Sequence, residues 1–159
     1  MNSSRVSSFV TAGVAVAGVG ISAYLTSVHY SSVELVCSEN GLVNCEQVLK
    51  SSYSSVLGIP WSVGGIAWFL VSGGLALVAL VRRPEPSLLQ PVQLAWSLLG
   101  LGVVIYLVGV EFVALGRICL WCTAMHGLII ATLLLTLLRT PADALGHTDD
   151  APETARLQG

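Results

Sequence analysis

Cys37, Cys45, Cys119 and Cys122 are the residues whose type and spacing equip this chain for chemistry. Cys119 and Cys122 form a Cys-x-x-Cys, a spacing at which two thiols can cycle between dithiol and disulfide. Cys37 and Cys45 flank Asn40-Gly41, a turn that lets the chain reverse and bring their α-carbons within the roughly 4.4–6.8 Å that a disulfide requires. Cys45 is expected to open a short helix, and Cys119 a longer one just after Arg117. Helix N-termini and nearby cations both favour thiolate over thiol. A thiolate attacks a disulfide through a mixed intermediate, so two such pairs make a relay with Cys45 and Cys119 as its natural contact.

Other uses of four cysteines are weaker. Two structural disulfides are one alternative, but a Cys-x-x-Cys bridge closes too small a loop to gain much entropy. A four-thiolate zinc site is another; one Cys-x-x-Cys plus a loosely spaced pair, in an oxidising compartment, argues against it, and no metal is expected. Haem attachment requires a His directly after the second Cys, where this chain has Thr123.

The elements that must position these thiols are membrane spans. Of 159 residues 54% are hydrophobic and only 10% charged, with a mean hydropathy of +0.80, which places the bilayer as the solvent. A net charge of -2 and the lack of any basic run exclude nucleic-acid binding. Four apolar stretches, Phe9–Val28, Pro60–Val81, Pro91–Val113 and Ile118–Leu138, each suffice to cross about 30 Å of hydrocarbon. Lipid cannot satisfy open backbone groups, so these predict an all-α integral membrane protein, a bundle of four transmembrane helices. Gly13 with Ala17, and Ser72 with Ala76, offer small-residue spacings for close helix contact. The one charge within the spans, Glu111, lies near an end and is assigned to the interface. The first stretch could instead be a signal peptide with Arg5 as its basic flank, but its apolar run continues past Ala17 to Val28, beyond what a signal core needs.

Arg5, Arg82, Arg83, Arg139 and Arg156 fall on one side of a four-span path, Lys50 and Arg117 on the other. The positive excess marks the cytoplasmic side, so both termini are expected there and all four cysteines on the oxidising side. Residues 82–87 read as a plain turn broken by prolines, and residues 140–159, with His147, as a disordered cytoplasmic tail following a membrane domain of residues 1–139. The outer segment, residues 29–59, is long for a connector. Asn44 and Gln47 resemble a capping box, and Leu49, Tyr53 and Val56 recur at helical spacing, which predicts an amphipathic half-helix over residues 45–56 on the outer mouth of the bundle. Gly58 should stop it and Pro60 serve as the first residue of the second span. An electron acceptor for Cys119 and Cys122 at this surface should be a two-electron, lipid-soluble carrier, and a quinone meets that description.

The order of these features resembles bacterial members of the vitamin K epoxide reductase family: the loop pair Cys37 and Cys45, Ser51 six residues after Cys45, Gly58-Ile59-Pro60 opening the second span, and Cys119-Leu120-Trp121-Cys122 opening the last. The resemblance covers residues 9–138. It implies a four-helix bundle around a quinone, menaquinone or ubiquinone, capped by the half-helix, in the bacterial inner membrane. Cys119 and Cys122 would be the active-site pair, with Cys122 nearest the quinone. Cys37 would meet a redox partner and Cys45 would meet Cys119. Ser51 matches the family's hydroxyl near the reaction centre, although it also reads as a surface serine in a serine-rich stretch. Bacterial members resemble DsbB in task, reoxidising a thioredoxin-like oxidase such as DsbA, but with the order of the two cysteine pairs reversed. Some carry a fused thioredoxin-like domain, whereas this chain ends in a short tail, so the partner is expected to be a separate protein.

His126 lies one helical turn beyond Cys122, where some family members have Tyr. An imidazole there could hydrogen-bond a quinone oxygen or donate a proton, or simply be satisfied within the bundle. His29 reads as an interface residue. Trp61 and Trp121 sit at outward span ends, where tryptophan ordinarily anchors, and both are candidates for lining a quinone pocket. Trp68 and Trp96 read as packing. The expected activity is oxidation of an extracytoplasmic thiol protein coupled to quinone reduction. Its rivals are reduction of vitamin K quinone or its epoxide, and a structural or zinc-binding membrane module.

Overall fold

Among the described residues, four helices are long and apolar enough to cross a membrane. The structure is a computed structural model that describes residues 3–31, 35–37, 40–82 and 87–139. The tail from residue 140, with Arg156 and His147, lies outside the described residues, as does Arg83. In chain order the elements are α1 (Ser3–Tyr30), α2 (Cys45–Leu49), a hairpin of β1 (Ser55–Val56) and β2 (Ile59–Pro60), α3 (Trp61–Val81), α4 (Leu89–Gly109) continued by a π-helical turn (Val110–Leu115), and α5 (Leu120–Arg139). The spans run slightly longer than hydropathy alone predicts at α1 and α4, because terminal turns of a membrane helix need not be apolar.

Lipid gives apolar helices no reason to associate, so close approach of their backbones decides the packing. α1 lies along α3, and the contact rests on small residues facing bulky ones. A β-carbon at Gly18 would sit 2.5 Å from the Phe69 ring, and one at Gly65 2.8 Å from Ser22 Oγ and Met125 Cε. The contact face of α1 therefore runs through Ala15, Gly18 and Ser22; Gly13 and Ala17 are exposed, contrary to the pairing their spacing suggested. Ser72 and Ala76 are buried as expected. α5 packs on both α1 and α4, whereas α3 and α4 touch sparingly. Where they do, Gly100 admits the Trp68 ring, and Trp68 and Trp96 stack with centroids 6.4 Å apart. A cavity remains between α3, α4 and α5 at the end of the bundle that carries the cysteines.

The outer segment departs from prediction. Asn44 Oδ1 accepts the Gln47 amide at 2.8 Å, as an N-cap should, but the helix it opens ends at Leu49 rather than continuing to residue 56. Ser51 stops it: its hydroxyl donates to the Val48 carbonyl at 2.8 Å, and hydroxyls that bond nearby backbone favour turns over helix. Tyr53 and Val56, whose spacing suggested a buried stripe, are exposed. Leu57 and Gly58, at φ 53° and 80°, instead make the tight turn of the β1–β2 hairpin. Pro60 occupies the N-cap position of α3, one residue before the first helical position.

Candidate active site

Backbone pairing brings the two cysteine pairs together. Val43 forms a parallel bridge with Ile118; the Asn44 amide donates to the Ile118 carbonyl at 3.1 Å, and the Ile118 amide to the Leu42 carbonyl at 2.9 Å. The Asn44 amide, which a full capping box would have bonded to Gln47, is thus used to dock the outer segment beside Cys119. Cys45, the first residue of α2, and Cys119, just before α5, are both 0% exposed and belong to one apolar cluster with Val48. Cys37 and Cys122 pack against that cluster.

Cys37 and Cys45 form a disulfide with α-carbons 6.3 Å apart, while Cys119 and Cys122 are thiols. The Cys122 thiol and the amides of the helix start both act on Cys119. The Cys122 amide donates to Cys119 Sγ at 3.2 Å. The Cys122 thiol also hydrogen-bonds that sulfur, the largest influence, and with help from the Cys122 and Trp121 amides it holds the Cys119 thiol below its ordinary value. Burial and the nearby Glu111 carboxyl oppose this without prevailing. The pair is thereby divided into a thiolate-forming member, Cys119, and a hydrogen-bond-donating member, Cys122.

Cys122 lines the cavity, Cys119 does not, and neither does Cys37 or Cys45. The cavity measures about 320 Å³ and its walls are overwhelmingly apolar. Ser51, Trp61 and His126, all singled out in the sequence, line it. The Ser51 proton is committed to Val48, so that hydroxyl presents lone pairs rather than a donor. His126 is buried at 7% exposure and makes no side-chain hydrogen bond among the described residues. Among the described residues the buried Trp61 indole N–H has no partner, a cost that a ligand acceptor would relieve. An apolar slot with a few unengaged polar groups fits a planar, lipid-soluble molecule that carries ring oxygens, such as a quinone.

Five residues are placed differently from expectation. Trp121 does not line the cavity; its ring packs at a tilt against Tyr24, with centroids 5.1 Å apart, and its indole donates to the Val36 carbonyl at 2.9 Å. It therefore holds the arm that carries Cys37. Trp68 and Trp96 pack as expected but also line the cavity, and His29 reaches its rim. Glu111, assigned to the interface from its depth in the span, is 4% exposed and lines the cavity, and the Cys119 amide hydrogen-bonds its carboxyl. Its position was readable: Ser97, Val104 and Glu111 follow one another at sevens along the buried face of α4.

A membrane bundle that sets a disulfide against a thiol pair, with one thiol opening into an apolar cavity, defines a membrane-embedded redox protein. The family model described as vitamin K epoxide reductase family matches residues 9–137, and the chain belongs to that family. It is accordingly a multi-pass membrane oxidoreductase whose family members use quinones. Comparison with curated proteins gives no match.

Proposed function

We propose that this protein oxidises a separate thioredoxin-like, DsbA-like protein outside the cytoplasm and passes the electron pair through Cys37/Cys45, then Cys119/Cys122, to a quinone. The observation that carries this reading is the shared burial of Cys45 and Cys119 in one cluster, with Cys122 alone of the four lining the cavity. Cys37, half-buried and on the arm, is the sulfur a protein partner can reach. Reduction of the loop disulfide through Cys37 frees Cys45 as a thiolate to attack Cys119 when the membrane pair is oxidised. Cys122 leaves as the thiolate nearest the cavity. A quinone bound there supplies a sink for two electrons and two protons. Trp61 would donate to one of its oxygens, His126 would stand ready at another, and the apolar walls would exclude water. Arg5, Arg82 and Arg139 at the opposite end from Lys50 and Arg117 support a topology with the cysteines outside a bacterial inner membrane and both termini inside.

The test uses purified full-length protein with a reduced thioredoxin-like oxidase and a short-chain ubiquinone or menaquinone. Cys37→Ala should abolish oxidation of the protein partner while leaving turnover with dithiothreitol. Cys122→Ala should abolish both. Continued partner oxidation by Cys37→Ala refutes the shuttle assignment, and retained quinone reduction by Cys122→Ala refutes the membrane-pair assignment. Supplying vitamin K epoxide in place of the quinone separates the two substrate classes.

A further inference from the structure

Oxidation of the Cys119/Cys122 dithiol releases two protons inside a water-poor site, and Cys119, unlike Cys122, does not line the cavity into which its proton must pass. We propose that Glu111 is the acceptor of the Cys119 proton and hands it into the cavity, making it a catalytic residue of the thiol-to-quinone step. The inference rests on the proposed quinone reaction, and on three observations that are independent of it. Glu111 is 4% exposed, although a carboxyl in a membrane span is costly without a function or a partner. Among the described residues the one ion pair is Lys50 with Glu46 on α2, and no cation pairs with Glu111. The carboxyl also has two faces with different neighbours: it accepts the Cys119 amide on one side and borders the cavity on the other.

Its placement is built by the backbone. The π-helical turn Val110–Leu115 carries Glu111, whose carbonyl accepts the amides of Gly116 and Arg117, so the turn that leads to Cys119 is tied to the same residue. π-helical turns are frequent at functional sites. Cys119, ahead of α5, adjoins this carboxyl, and the other titratable groups lining its cavity are Cys122 and His126 on α5, His29 at the end of α1 and Tyr53 on the outer segment. Of these, Cys119 hydrogen-bonds it through its amide, and His126 lines the same cavity.

The step balances as follows. The S–H bonds of Cys119 and Cys122 break and the Cys119–Cys122 S–S bond forms. The electron pair goes to the quinone. The Cys119 proton passes to the Glu111 carboxylate and from there to one quinone oxygen; the Cys122 proton goes to the other oxygen, directly or through His126. Glu111 ends as a carboxylate, and the product is the hydroquinone.

Glu111→Gln keeps an oxygen to accept the Cys119 amide but cannot take up a proton. Turnover with dithiothreitol and a short-chain naphthoquinone should fall by about a hundredfold or more, the span typical of a lost general base. Glu111→Asp should recover part of it. A second readout needs no quinone: in the dithiothreitol-reduced protein Cys119 and Glu111 share the proton, so infrared difference spectra against the oxidised protein should contain a carboxyl C=O change that is absent in Glu111→Gln. Wild-type turnover and an unaltered difference spectrum in Glu111→Gln overturn the inference. Equal losses of thermal stability and turnover in the Gln and Asp variants also overturn it, because they make the role structural. Should wild-type protein reduce no quinone, the proposed function fails, and the infrared change alone then decides whether Glu111 exchanges a proton with the thiol pair.

Discussion

Removing one hydroxyl, in Tyr24→Phe, should loosen the arm that carries Cys37 without disturbing the thiols. The Val36 amide donates to Tyr24 Oη at 3.1 Å, and the Val36 carbonyl accepts from Trp121 Nε1 at 2.9 Å, so a single residue of the arm is held at both backbone groups by two rings that also pack on each other. Phenylalanine retains that ring contact and deletes one acceptor. A neutral hydrogen bond contributes about 0.5–1.5 kcal/mol net, and this one lies at an exposed site where water can replace it, so the lower half of the range applies. That is roughly a twofold to fivefold rise in the undocked population of the arm. Hydrogen exchange at the Val36 amide should accelerate by this factor, since local opening sets the rate. Reduction of the Cys37–Cys45 disulfide by a small dithiol should accelerate similarly, because Cys45 is fully buried and attack must begin at Cys37. Trp121→Phe should act in the same direction, and the double variant should fall short of additivity because both bonds fix the same residue. Unchanged exchange at Val36 in Tyr24→Phe, with an unchanged reduction rate, would refute the claim that this pair of rings restrains the shuttle arm.

Other expected outcomes follow from the same geometry. Cys122→Ala removes the thiol hydrogen bond that chiefly holds Cys119 below its ordinary range, so the Cys119 thiolate should form only at higher pH; an ultraviolet titration of the reduced protein should show the midpoint moving up, and a downward move would contradict the assignment. Trp61→Phe preserves the cavity's apolar wall but removes its unpartnered N–H, so quinone affinity should drop by roughly fivefold, about 1 kcal/mol, with no loss of thermal stability. Gly18→Ala places a methyl 2.5 Å from the fully buried Phe69 ring and should cost about 1–3 kcal/mol in detergent denaturation, whereas Gly13→Ala meets nothing within 4 Å and should be neutral or slightly stabilising.

The spans and the cysteine pairs were legible because each leaves a local signature. Twenty apolar residues state a span wherever they occur, and a Cys-x-x-Cys beside a span opening states its chemistry. The half-helix was legible at its start and not at its end. Asn44 is a local cap and forms as one, but the stop at Leu49 depends on Ser51 choosing the Val48 carbonyl, and the hairpin beyond depends on Leu57 taking a conformation usually left to glycine. Nor could Trp121 be assigned from position alone. As a span-end tryptophan it looked like an anchor or a cavity wall, and its partner, Val36, lies 85 residues away in the chain.

Which face of each span turns inward is the harder question, and the reason is physical. In water an inward face is the apolar one; in lipid both faces are apolar, so the usual contrast disappears and small or polar residues carry the phase instead. On α1 small residues occur on more than one face, which is why Gly13 and Ala17 looked as suitable as Gly18 and Ser22, and only the bulk of Phe69 opposite Gly18 distinguishes them. On α4 the signal is cleaner: Gln93, Ser97, Gly100 and Val104 mark one stripe, and Glu111 continues it. Read by depth, Glu111 belongs to the interface; read by phase, it belongs inside. In a bilayer phase deserves the greater weight for a lone charge, because a long side chain can rise toward the surface only from the lipid face, and a carboxyl as short as this one on the inward face is held where its helix puts it. The same stripe that builds the cavity wall thus delivers a carboxyl beside Cys119, at the cavity that Cys122 lines.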